Sequence, residues 1–211
     1  MMDQPLHTKD AMLYHLRAFI VAGLSLLSLN AVSQNYRLEK AWETEPVFST
    51  PGFLNDIAID DEGVVYFTDT SPMKPEASAV YAFREGAVDT IASDPVNRSN
   101  GLLYDRRSLL VGNSGDQYLK KIDLETNEVV KVARLDTGII DGIKLYKNDY
   151  YIVTLWEGRI YMVLPGGAVN ELLDVRNSDI KTADIEFIPE LNLIVIPTFN
   201  HNRVIAYRIE E

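Results

Sequence analysis

From residue 36 onward, short runs of β-branched, aromatic and other apolar residues alternate with clusters of turn-forming residues. Turn clusters of this kind stand at residues 60–63, 85–86, 147–149 and 166–167. Apolar runs bounded by Gly, Asn and Asp are typical of strands joined by tight turns. No segment beyond residue 36 carries a convincing helical pattern, so the sequence predicts an all-β fold.

The strand runs repeat along the chain. Four copies begin at Asn55, Asn100, Asp141 and Ala183, with spacings of 45, 41 and 42 residues, and each contains a strand, a turn and a second strand. The first three copies add two further predicted strands each, at 79–84 and 88–92, 119–124 and 129–133, and 159–164 and 169–175. This period with four strands per copy predicts propeller blades. The alternative is an open β-sandwich with coincidental spacing.

The fourth copy reaches a third strand at residues 203–209 and then the chain ends. The segment 36–48 contains a strand-like run, and we expect it to supply the missing outer strand, because such closure covers two sheet edges that would otherwise stay unpaired. The predicted fold is therefore an antiparallel β-propeller with about four blades, closed by an N-terminal strand.

The N-terminal segment predicts export. Arg17 precedes an apolar run that extends from Ala18 to Leu29, and small residues at Ala31 and Ser33 place a cleavage site before Gln34. We expect a signal peptide at residues 1–33, a propeller domain at 34–211, and a periplasmic or extracellular location without membrane attachment. An uncleaved membrane anchor is the alternative, although a span needs roughly 20 apolar residues. Whether Met1 or Met12 is the start stays open.

The charge narrows the set of partners. The formal net charge is −11, with 31 acidic and 20 basic residues. A surface of this sign repels phosphate backbones and anionic lipids, which argues against nucleic acid and membrane partners, but it suits hard cations. The sequence has no cysteine, and this excludes disulfides, Cys-ligated zinc and thiol catalysis.

The first residue of each copy points to a candidate cation site. The first strand of a propeller blade lines the central channel, so Asn55, Asn100, Asp141 and Ala183 are expected to form a ring at one mouth. Three of these residues carry hard oxygens, which suit Ca²⁺ first, and then Mg²⁺, Mn²⁺ or Zn²⁺. The alternative is local turn formation, because Asn and Asp are common wherever a turn enters a strand.

Two more residues are candidates for substrate binding. His201 lies between the second and third strands of the fourth copy, and Trp156 occupies the equivalent loop of the third copy. Both loops are expected near the same mouth as the ring. The alternatives are a polar loop residue for His201 and ordinary packing for Trp156.

Four segments carry a family resemblance: LNDIAID at residues 54–60, SNGL at 99–102, IDGI at 140–143 and FNHNRVIAY at 199–207. They resemble motifs of the senescence-marker-protein/gluconolactonase (regucalcin-like) family. The resemblance implies a propeller, normally six-bladed, with one divalent cation on its axis and hydrolysis of a sugar lactone or similar small ester. It further implies that Asn55 and Asn100 are metal or substrate-side ligands, and that Asp141 is both a metal ligand and the catalytic general acid/base.

The sequence also departs from that family. The glutamate ligand of the family's first blade has no counterpart in residues 42–51, and Phe53 stands where members often carry an arginine. Six blades at this period need about 250 residues, so about two blades are missing. Two functions follow: a metal-dependent lactone or ester hydrolase, or a non-catalytic propeller that binds a protein or carbohydrate partner. The substrate and the oligomeric state stay open.

Overall fold

The chain forms four antiparallel sheets, one for each predicted repeat, in a computed structural model that describes residues 52–93 and 96–210. Three sheets have four strands and the last has three, and each follows the chain as a simple meander. The prediction of a propeller-type, all-β fold with four blades is therefore confirmed. The predicted signal peptide at 1–33 and the predicted closing strand at 36–48 lie outside the described residues.

The first two blades contain eight strands. In the first blade the strands are β1 Leu54–Ile59, β2 Val65–Asp69, β3 Ala79–Arg84 and β4 Ala87–Ala92. In the second blade they are β5 Ser99–Asp105, β6 Ser108–Asn113, β7 Tyr118–Asp123 and β8 Val129–Arg134. These bounds agree with the predicted strands to within about two residues, as expected for element ends.

The last two blades contain seven strands. The third blade has β9 Ile140–Lys147, β10 Tyr150–Leu155, β11 Arg159–Val163 and β12 Val169–Asp174. The fourth blade has β13 Glu186–Ile188, β14 Leu193–Pro197 and β15 Val204–Arg208. The described helices are short 3₁₀ turns at Pro75–Ala77, Arg176–Ser178, Pro189–Leu191 and Phe199–His201. Within the described residues, no helix has the length and apolar character needed to span a membrane.

The fourth blade differs from the prediction at its first strand. Residues 183–185 do not join the sheet, and the strand begins only at Glu186. Groups around the predicted start bond to the third blade instead: Thr182 Oγ1 donates to Leu155 O at 2.6 Å, and Ala183 O accepts from Thr154 Oγ1 at 2.7 Å. Contacts between blades therefore replace sheet pairing at the start of this strand.

The hydrophobic core lies between the blades. The first buried cluster joins Ala58 and Tyr66 of the first blade to Leu102 and Val111 of the second. A second cluster lies between the second and third blades, and a third cluster lies between the third and fourth. Each sheet thus buries apolar side chains against its neighbour, and the inner strands β1, β5 and β9 come together at one end, where the candidate site lies.

Candidate functional site

The predicted ring residues sit at irregular steps of the inner strands. Asn55, Asn100 and Asp141 each lie in one of these steps. Regular pairing is interrupted between Leu54 and Ile57, between Ser99 and Leu102, and between Ile140 and Ile143. An irregularity of this kind breaks the in–out alternation of a strand and redirects a side chain. The same irregularity in strand pairing therefore recurs at the start of the inner strand in three blades.

Two glycines let the inner strands approach each other closely. A Cβ atom on Gly101 would lie 1.7 Å from the Asp141 carbonyl oxygen. A Cβ atom on Gly142 would lie 2.9 Å from the Ile185 amide nitrogen. The residues that follow Asn100 and Asp141 must be glycines because the next blade occupies the space of a side chain.

Two threonines join the same strands by hydrogen bonds. Thr68 Oγ1 accepts from the Asp56 amide at 3.1 Å and donates to Asn100 O of the next blade at 2.8 Å. Thr154 Oγ1 accepts from the Gly142 amide at 2.8 Å and donates to Ala183 O of the next blade at 2.7 Å. Both threonines are fully buried. These bridges fix the position of each inner strand relative to its neighbour.

Asn100 and Asp141 are in direct contact. The Asn100 side chain is 4% exposed and hydrogen-bonds the Asp141 carboxyl group. Its Oδ1 atom is buried and has no hydrogen-bond partner. Asn55 occupies the matching position of the first blade but is exposed, and its amide donates to Thr70 Oγ1 at 3.1 Å.

Further carboxylates surround Asp141. Burial, followed by repulsion from Asp184, Asp56 and Glu157, raises the pKa of Asp141 to about 6, and the Asn100 hydrogen bond opposes that shift. Burial also raises the pKa of Asp56, against the hydrogen bonds that its carboxylate accepts from backbone amides. Asp56, Asp141 and Asp184 come from three different blades, so negative charge accumulates at this mouth.

Sequence reasoning missed Asp56, Glu157 and Asp184 as members of the site. Asp56 and Asp184 each follow a predicted ring position by one residue. This shared position in the repeat could have identified both of them from the sequence. Glu157 gave no sequence signal. Its two carboxylate oxygens accept from the Ile139 amide at 3.2 and 3.0 Å, which fixes the start of the third blade. Its negative charge also contributes to the raised pKa of Asp141.

The residues present fit a hard cation at Asn100 and Asp141. A buried amide oxygen without a partner, beside a carboxyl group surrounded by negative charge, is the donor chemistry that Ca²⁺ and Mg²⁺ prefer. Among residues 52–93 and 96–210, no group of three His, Cys, Asp or Glu side chains could hold a metal ion. A cation at this mouth would therefore depend on amide oxygens as well as on carboxylates.

The predicted substrate residue Trp156 lies in an aromatic corner. Its ring meets the Phe199 ring edge-on with centroids 5.8 Å apart, and Lys181 Nζ lies 4.9 Å from its ring centroid. Phe199 is 66% exposed and has a φ of 56°, a left-handed conformation that is strained for a bulky residue. Strain of this kind often accompanies a functional site.

His201 ends the short 3₁₀ turn that begins with Phe199, so the two predicted substrate residues are linked through that turn. His201 is partly exposed, and its Nδ1 atom is buried without a hydrogen-bond partner. Trp156 is the neighbour in sequence of Glu157, which is close enough to shift the pKa of Asp141. The aromatic corner and the acidic mouth therefore belong to the same end of the blades.

Comparison with solved structures supports the propeller fold. The chain is similar to a streptogramin B lyase, with a TM-score of 0.57, 17% identity, and coverage of 77% of this chain and 57% of that one. It is similar to a gluconolactonase from Xanthomonas campestris, with a TM-score of 0.56, 15% identity, and coverage of 69% and 54%. A luciferin-regenerating enzyme gives a TM-score of 0.56, 17% identity, and coverage of 69% and 53%.

These similarities extend to the fold alone, because the sequence identities are low. The chain spans just over half the length of these three proteins. The sequence matches no protein-family model and no curated protein.

Proposed function

We propose that this chain hydrolyses a sugar lactone or similar small ester, with a divalent cation bound by Asn55, Asn100 and Asp141. The observation that carries the proposal is the contact between Asn100, whose buried Oδ1 has no partner, and Asp141, whose pKa is raised to about 6. Similarity in fold to a gluconolactonase supports it. The resemblance of four motifs to the gluconolactonase family agrees with the same assignment.

A general acid/base works best when its pKa lies near the operating pH. Asp141 meets this condition, because burial and its acidic neighbours bring its pKa to about 6. Asp141 would take a proton from the attacking water as the carbon–oxygen bond forms, and return it to the leaving alkoxide as the ester bond breaks. A lactone gives a hydroxy acid, and an open-chain ester gives an acid and an alcohol. A divalent cation, when bound, would polarise the ester carbonyl.

The aromatic corner would receive the rest of the substrate. The Trp156 and Phe199 rings offer apolar surfaces against which the C–H face of a sugar ring can pack. His201 is partly exposed, and its imidazole would form a hydrogen bond with a substrate hydroxyl. We also propose that the reaction takes place in the periplasm or outside the cell, on the basis of the N-terminal sequence.

The first test is a thermal melt of the full chain with and without Ca²⁺, followed by Mg²⁺, Mn²⁺ and Zn²⁺. A ligand that binds only the folded state stabilises it by about 2.7 kcal/mol at a hundredfold excess over Kd. We expect the melting temperature to rise with at least one of these cations. Indifference to all four would exclude the cation site.

The second test is turnover of a panel of aldonolactones and small esters. Asp141→Asn should lower kcat/KM by at least about 100-fold, the usual contribution of a general acid/base. The exposed Asp89→Asn variant carries the same change of charge on β4 and should retain wild-type activity. Equal activity of the Asp141→Asn variant and the wild type would refute the assigned role.

A non-catalytic binding module is the second candidate. One observation favours it: the first strand and the residue before it expose large apolar side chains, with Phe53 54%, Leu54 52%, Ile57 62% and Ile59 59% exposed. Apolar side chains grouped in this way are typical of interaction surfaces. An Asp141→Ala variant separates the two candidates, because it would abolish turnover in an enzyme and leave partner binding unchanged in a binding module.

A further inference from the structure

The fourth blade lacks an oxygen ligand at its ring position, which is occupied by Ala183. The next residue is Asp184, in the same register as Asp56 of the first blade. Both aspartates adopt the same local arrangement, in which Oδ1 accepts from the amide of the following residue at 2.7 Å. The chain thus offers a carboxylate one position beyond the ring in its first and fourth blades.

Packing places Asp184 next to the Asp141 segment. On one side of it, Ala183 O accepts from Thr154 Oγ1, which also binds the Gly142 amide. On the other side, the Ile185 amide nitrogen lies 2.9 Å from the position of a Cβ on Gly142. Asp184 is therefore flanked by two residues that contact the backbone beside Asp141.

Asp56 and Asp184 differ in what their second oxygen does. Asp56 Oδ2 accepts from the Leu102 amide at 2.6 Å, so both of its oxygens bind backbone. Asp184 is exposed, and within the described part of the chain no donor reaches its Oδ2. Both carboxylate oxygens of Asp56 therefore bind backbone amides and link two blades, whereas Asp184 Oδ2 is available to bind a ligand.

We propose that Asp184 supplies a second carboxylate to the cation site formed with Asn100 and Asp141. This inference rests on the proposed function and names a ligand that the fourth blade contributes. Asn55, Asn100 and Asp141 bring only one negative charge to a divalent ion, and affinity for Ca²⁺ depends on the number of charged ligands. Asp184 raises that number to two. The Asn100 Oδ1 atom, buried and without a hydrogen-bond partner, is an independent observation that points to a ligand at this mouth.

The test is calorimetric titration of the full chain with Ca²⁺, supported by Tb³⁺ luminescence. Asp184→Asn should weaken Ca²⁺ binding by about tenfold or more, because it removes one of two charged ligands. Asp179→Asn is the matched control: Asp179 is exposed, lies five residues away and has a left-handed φ of 56° that asparagine tolerates. It should bind Ca²⁺ as the wild type does. Asp184→Glu keeps the charge and should retain most of the affinity.

The outcomes separate this inference from the proposed function. If the wild type binds Ca²⁺ and Asp184→Asn binds it equally well, the role of Asp184 is refuted and the site at Asn100 and Asp141 stands. If the wild type binds none of the four cations, the proposed site and this inference both fail. Thermal melts without cation check that Asp184→Asn is folded. If Asp184→Asn does not fold, the Ca²⁺ affinity of Asp184→Glu tests the role of the carboxylate instead.

Discussion

The Asp56 carboxylate of the first blade accepts a hydrogen bond from the Leu102 amide of the second blade at 2.6 Å. Its other oxygen accepts from the Ile57 amide at 2.7 Å. One side chain thus completes the irregular step of its own strand and binds the equivalent step of the next strand. Asp56 is therefore a structural member of the acidic mouth.

We expect Asp56→Ala to lower the free energy of unfolding by about 2 kcal/mol, because two backbone amides lose their acceptor and one of them belongs to the buried Leu102. Urea denaturation of the full chain measures this change. The exposed Asp89→Ala variant is the control and should stay within about 0.5 kcal/mol of the wild type. Equal stability of both variants would mean that water satisfies the Leu102 amide.

We expect Gly101→Ala to be strongly destabilising. The new methyl group would lie 1.7 Å from the Asp141 carbonyl oxygen, a backbone atom that cannot move without its strand. Overpacking of this kind costs about 3 kcal/mol or more, and here it would separate the second blade from the third. Urea denaturation measures the loss, and Ca²⁺ titration should show a parallel loss of binding.

Gly86→Ala is the matched control for this substitution. Gly86 has a φ of 86°, but a Cβ there meets no atom within 4 Å, so only backbone strain remains. That strain costs about 1 kcal/mol. If Gly86→Ala proved as damaging as Gly101→Ala, close approach between the inner strands would not be the reason for Gly101.

The titration of Asp141 predicts a dependence of stability on pH. Burial and the neighbouring carboxylates raise its pKa from 3.8 to about 6 in the folded chain. The folded state therefore binds this proton more tightly than the unfolded state does. Its contribution to stability is complete below pH 3.8 and is lost as the pH rises through about 6. We expect this contribution to amount to about 3 kcal/mol.

The measurement is the free energy of unfolding of the wild type and of Asp141→Asn from pH 4 to pH 7, with a chelator present. Asparagine does not titrate, so the stability of the wild type relative to the variant should fall across this range. The exposed Asp89→Asn variant removes the same charge and serves as the control. A constant difference between wild type and Asp141→Asn would contradict the raised pKa.

Local sequence was enough to predict the blades. The turn cluster at residues 60–63 and the repeated starts at Asn55, Asn100 and Asp141 depend on short-range rules of strand alternation and turn formation. The structure confirms one sheet for each repeat and places those three residues at irregular steps. The first strand of the fourth blade was predicted too long, because Thr182 and Ala183 bond to the third blade.

The sequence by itself determined the repeat, the all-β class and the residue types at one end of each blade. Only the tertiary structure decided which of these meet: Asn100 with Asp141, Asp184 with the Asp141 segment, and Trp156 with Phe199. The physical reason is that strand and turn formation follow from neighbours in the chain. Burial, repulsion between carboxylates and ring packing instead depend on residues about 40 positions apart, which only blade-to-blade packing brings together.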